Sequence, residues 1–154
     1  MKKTLFAIIA TIVVSSSSAQ KIASENVPAA VTSAFKAKFS IAEKATWEMD
    51  YDNYEADFVV GKSPFTAKFD KDGKWIETYT YLKSAELPKV IKEALASKYG
   101  ELSGYKTQEA RKVEKEKGTF YEMETIKGEK TYELVFNEAG ELLEDDIKAP
   151  NLKD

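Results

Sequence analysis

The chain predicts an α+β fold: a tandem repeat of helix plus three or four antiparallel strands, forming one sheet with two helices on one face. Three observations carry this expectation. A helical stripe at Val27, Ala30, Val31, Ala34, Phe35, Lys38 and Phe39 returns as Leu87, Val90, Ile91, Ala94, Leu95, Lys98 and Tyr99. The segment Gly61 to Glu77 returns, without a gap, as Gly128 to Glu144. Between the stripes apolar and polar residues alternate, which is the period of half-buried strands. Recurrence of this kind marks a duplicated structural unit.

The elements follow in order. Met1-Lys2-Lys3 is basic, Leu5 to Val14 carries no charge, and Ser15-Ser16-Ser17-Ser18-Ala19 ends in small residues. Residues 1–19 therefore read as a secretory signal peptide cleaved after Ala19. The apolar run is half the roughly 20 residues that a membrane span needs, so no membrane anchor is expected. Residues 20–154 read as a single domain of two repeats, about 24–83 and 84–148. Each helix opens at a proline, Val27-Pro28 and Leu87-Pro88, where the missing N–H costs nothing. Gly100 is placed to stop the second helix in a left-handed conformation.

Strands are expected at Ala45 to Tyr51, at Tyr54, Ala56, Phe58 and Val60, at Phe65, Ala67 and Phe69, and from Trp75 to Leu82. Their later counterparts are Tyr105 to Lys115, then Tyr132, Leu134 and Phe136, and finally Leu142 to Ile147. Asp70-Lys71-Asp72-Gly73 and Asn137-Glu138-Ala139-Gly140 supply hairpin turns with glycine where positive φ is needed. A repeat of about 60 residues is marginal alone, so the two should share a core.

The sequence contains no cysteine and no histidine. That removes disulfides, thiol nucleophiles, histidine-based triads and the common metal ligands. The HExxH, P-loop and GxGxxG motifs are also missing, so no catalytic residue, metal or cofactor is nominated. Asp50-Tyr51-Asp52-Asn53 and Asp70-Lys71-Asp72-Gly73 lack the twelve-residue ligand spacing of a calcium loop and read as turns. Loss of Lys2 and Lys3 takes the formal charge from −3 to −5, and Arg111 is the only arginine. Neither feature fits a nucleic-acid partner.

Aromatic residues give the candidate surface. Simple alternation puts Trp75, Tyr79 and Tyr81 on one side of their strand and Ile76 and Leu82 on the other. One face must then present aromatic or apolar groups outside the helix-covered core, which marks binding surfaces. Trp47, Tyr51, Trp75, Tyr79 and Tyr81 are the candidate partner-binding residues. The chain reads as an exported, non-enzymatic protein- or peptide-binding module. The alternative is a periplasmic small-ligand sensor or carrier that binds between the two repeats.

Val27-Pro28-Ala29-Ala30-Val31 through Phe39, the Trp47 strand, Tyr54-Glu55-Ala56-Asp57-Phe58 and Phe69-Asp70-Lys71-Asp72-Gly73-Lys74-Trp75 together resemble the PepSY-like family of exported bacterial proteins. The pattern recurs over Leu87 to Glu144. The resemblance implies a β-lactamase-inhibitor-like fold that binds a protein or peptide in the cell envelope, in the periplasm or after secretion. The wider group is linked to restraint of peptidases, and the inhibitor fold grips its enzyme with an open sheet face. Inhibition of a peptidase or other envelope enzyme is one form this binding takes. The second repeat departs from the pattern, with Thr107 or its polar neighbours in place of Trp47 and Leu142 in place of Trp75. Recognition is therefore expected to favour the first.

Overall fold

Among the described residues, consecutive strands pair with one another along the whole sheet. A computed structural model describes residues 20–42 and 44–148; the expected signal peptide and its cleavage site lie outside the described residues. β1 (Gln20–Ile22) leads to α1 (Ala29–Lys38), followed by β2 (Ala45–Asp50), β3 (Asn53–Val60), β4 (Ser63–Asp70) and β5 (Trp75–Tyr81). Then come α2 (Lys89–Tyr99), β6 (Lys106–Lys115), β7 (Gly118–Lys127), β8 (Lys130–Asn137) and β9 (Leu142–Lys148). The nine strands form one antiparallel sheet in the order β1 to β9.

This corrects the expected tandem repeat of helix plus strands. The fold is α+β in the broad sense, but it is mostly a single nine-stranded sheet carrying two helices. β5 pairs with β6 from Glu77↔Lys115 to Tyr81↔Arg111, straight across the expected repeat boundary. Each helix is an excursion between neighbouring antiparallel strands, α1 between β1 and β2 and α2 between β5 and β6. An unpaired boundary strand would leave a row of N–H and C=O groups without partners, and pairing β5 to β6 removes that cost. The recurring sequence pattern thus describes local features rather than separable units.

Pro28 and Pro88 sit at the helix N-caps, and their carbonyls accept from Thr32 N–H at 3.1 Å and Lys92 N–H at 3.0 Å. α1 buries Val31 and Phe35. The Phe35 ring is the hub of the first core, with centroids 5.4 Å from Trp47, 5.1 Å from Phe58 and 6.4 Å from Phe69, all near edge-on. Such aromatic pairs add about 0.5–1.5 kcal/mol each beyond area burial. α2 buries Ile91 and Tyr99 over Met123, Leu134 and Phe136. The register from β4 through β8 puts both cores on one face of the sheet. Gly100 is not the left-handed stop: its φ is −78°, and the left-handed residue is Gly104 at 81°, after one further 3-10 turn. Among the described residues no helix is long and apolar enough to cross a membrane.

Two features of the strands aim the side chains. Phe69 pairs with Trp75 while Lys68 pairs with Glu77, so Ile76 is the extra residue of a β-bulge. Leu143 plays the same part opposite Val135 and Phe136. The other feature is the turn after β4, where Asp70 Oδ1 accepts from the N–H groups of Asp72 and Lys74, both at 2.9 Å. Asn137 does the same after β8 for Ala139 and Glu141, at 3.0 Å. Each turn presses its glycine on the first turn of a helix. A Cβ on Gly73 would lie 2.6 Å from the Ala30 carbonyl oxygen, and one on Gly140 would lie 2.8 Å from Val90 Cγ2.

Gly73→Ala therefore combines a positive-φ penalty (φ +84°) with a backbone clash, whereas Gly61→Ala (φ +64°) meets nothing within 4 Å. Urea unfolding should show a loss of about 1–2 kcal/mol at Gly61 and at least twice that at Gly73; equal losses would show that the turn does not bear on α1. In the core, Phe35→Ala should cost about 3–5 kcal/mol. Ile41→Ala, at an exposed position, should stay within about 0.5 kcal/mol, and a similar loss at both sites would remove Phe35 as the hub.

Candidate partner-binding face

The face away from the helices is built strand by strand from the register. Tyr79 of β5 lies between Thr66 of β4 and Val113 of β6, while Tyr81 lies opposite Arg111. The Tyr79 and Tyr81 rings meet edge-on at 5.8 Å. The Arg111 guanidinium stands 5.0 Å from the Tyr79 centroid, a cation–π distance. Although no helix covers it, Val113 is only 1% exposed, because its neighbours close over it. Tyr81 is 53% exposed. Burial, more than any neighbouring charge, pushes the Tyr79 phenol up to about 12, so it stays a neutral hydroxyl at physiological pH.

Around this centre the charges are paired across strands. Arg111 donates to Glu122 Oε2 from Nε at 2.8 Å and approaches the same oxygen at 2.6 Å through its terminal nitrogen. Lys115 lies 3.1 Å from Glu122 and 3.5 Å from Glu77. Lys68 joins Asp50 at 2.8 Å and Glu55 at 3.1 Å. Lys148 spans Glu124 and Glu133 at 2.7 Å each. Burial works against ionisation of Glu122, but the charges and hydrogen bonds of Arg111 and Lys115 outweigh it and hold the carboxyl below the usual range. Lys68 behaves in the same way: burial favours its neutral form, and Asp50 and Glu55 overcome this to raise its pKa. Single exposed pairs are worth little. Here, neighbours on adjacent strands hold them in one arrangement. The face dips into a depression of about 750 Å³ that reaches from Lys68 on β4 to Lys148 on β9.

Of the five candidate aromatics, the structure brings Tyr79 and Tyr81 together on this face. Trp75 does not join them, because the bulge at Ile76 turns it to the helix side. There the Lys38 ammonium sits 3.6 Å from its ring, and its indole N–H donates to Thr78 Oγ1 at 2.9 Å. Trp47 is 5% exposed and belongs to the first core. Tyr51 is 62% exposed at the β2–β3 hairpin, with a left-handed φ of 54°. It is between two and three strand spacings from β5, about 10–15 Å across the sheet. Sequence reasoning passed over Arg111, Glu122, Lys115 and Lys68, which frame the two tyrosines. The sole arginine was a signal for one of them. The others have none without the register, since charges of both signs fill the chain.

Comparison with known proteins bears on the fold. The PepSY-like family model, described as beta-lactamase-inhibitor-like, matches residues 52–144. A BLIP-like protein of Bacteroides fragilis has a similar structure, with 25% identity and a TM-score of 0.71 over 82% of this chain and 90% of that one. A DUF2874 family protein of Bacteroides uniformis gives 25% identity and a TM-score of 0.69 over 78% and 88% of the respective chains. A candidate periplasmic protein of Bacteroides eggerthii, 24% identical with a TM-score of 0.68 over 79% and 88%, shares the fold. No curated protein matches the chain. With a family match over more than half its length, the chain belongs to the PepSY-like family.

Proposed function

We propose that this chain is an exported, non-enzymatic module that binds a protein or peptide of the cell envelope on the uncovered face of its sheet. The observation that carries this reading is one-sidedness: both helices cover one face, and the other presents Tyr79 and the exposed Tyr81 within a fixed frame of ion pairs. Aromatic rings offer contact area at low entropic cost, and polar rims orient a partner. The inhibitor-like family description supports binding to an enzyme, and a peptidase or other envelope enzyme is the target class that the sequence resemblance implies. The basic start, charge-free run and small-residue end of residues 1–19 support export, as does the periplasmic name of one fold relative. A small-ligand carrier is less well supported. The depression has the volume of a ligand pocket, but its cations are already paired to carboxylates rather than set in an apolar wall.

Site-specific photo-crosslinking tests this in the native envelope. A photoreactive residue in place of Tyr81 should give a discrete adduct whose partner mass spectrometry identifies, and the same residue in place of Lys36 on the exposed side of α1 should not. Adducts from Lys36 alone, or from neither position, would refute the placement.

A further inference from the structure

We propose that the partner segment is cationic: a lysine- or arginine-bearing stretch of another protein laid over the depression. This rests on the binding-face reading above and names the chemistry of its partner. Four carboxylates stand in one row across the sheet. Glu109 faces Glu124, Glu124 faces Glu133, and Glu133 faces Asp146. Like charges directly opposite one another destabilise a sheet, so the row is an arrangement that the fold alone does not favour. Within the depression, carboxylates outnumber basic side chains seven to four. All four bases are already engaged with carboxylates. The two ends of the row, Glu109 and Asp146, take part in no ion pair among the described residues. The face is therefore short of positive charge at known points, and a complementary partner supplies it.

The geometry indicates how a lysine fits. Lys148 from the chain itself reaches Glu124 and Glu133 at 2.7 Å each, so an ammonium group seats between two members of the row. Three strand spacings make the row about 15 Å long. An extended segment repeats its side chains on one face about every 7 Å, so alternate lysines reach both free ends. Tyr81 lies opposite Arg111 beside this row, and its exposed ring offers a surface for the stem of a lysine or arginine, as Tyr79 does for Arg111.

The test uses the full mature chain and a fluorescent peptide of alternating lysine and threonine, with glutamine and glutamate analogues, followed by anisotropy at about 0.01 M and about 0.15 M ionic strength. The lysine peptide should bind, more weakly at the higher salt, and the glutamine analogue should bind at least about tenfold less tightly. Glu109→Gln and Asp146→Asn should each weaken binding roughly threefold and together about tenfold; Glu93→Gln on α2 should change nothing. Both open-face substitutions remove repulsion, so thermal unfolding at the same or a higher temperature accompanies the loss. Equal binding of lysine and glutamine peptides, or full affinity in the double variant, overturns the proposal. If the lysine peptide fails while the crosslink at Tyr81 still forms, the cationic inference falls and the binding face stands. If both fail, the binding face falls too.

Discussion

Unbroken backbone pairing from β1 to β9 is the constraint from which the other features follow. A sheet that long has two faces to shield from water, and the described residues supply two α-helices, of 10 and 11 residues. Both lie on the same side, where Phe35 and Tyr99 anchor separate cores. Antiparallel sheets tolerate such asymmetry, since one face can meet solvent. The open side must then be soluble by itself, which explains a face rich in charged side chains, many of them joined across strands, rather than a second apolar layer. Each strand's period of two divides the labour: one parity builds the core and the other builds the surface.

The bulges modify that division. A single inserted residue at Ile76 reverses parity within β5, so Trp75 closes the first core while Tyr79 and Tyr81 stay outside. The equivalent insertion at Leu143 sends Leu142 into the second core. Bulges also increase local twist, which suits a sheet wide enough to form a depression over β4 to β9. The helical side carries a related device: the turns at Gly73 and Gly140 reach back to the N-terminal turns of α1 and α2, tying the strands' far ends to the helices.

The charge pattern of the open face divides into two parts. Around Arg111 and Lys115, opposite charges satisfy one another, and Glu122 stays ionised despite burial. Towards β9, acids face acids with one lysine between them. A face that served solubility alone would gain by alternating the signs throughout. That uneven distribution is the feature on which the proposed cationic partner rests, and it lies away from the first half, where the tryptophans stand.

The local pattern was legible. Apolar steps of three and four residues placed both helices, and Asp70 to Gly73 and Asn137 to Gly140 placed their turns, because side-chain period and turn chemistry are encoded within a few neighbouring residues. Membership of the PepSY-like family was legible for the same reason, being carried by those local signatures. Strand β7 was harder to see: Phe120 and Ile126 put apolar groups on the parity opposite Tyr121 and Met123, which blurs its alternation. Only the tertiary structure decided that β5 joins β6 in one sheet rather than ending a repeat, that Trp75 parts company with Tyr79 and Tyr81, and that Glu109, Glu124, Glu133 and Asp146 form a row. Each depends on cross-strand register, which is set by hydrogen bonds and packing between residues distant in the chain, and no local propensity specifies it.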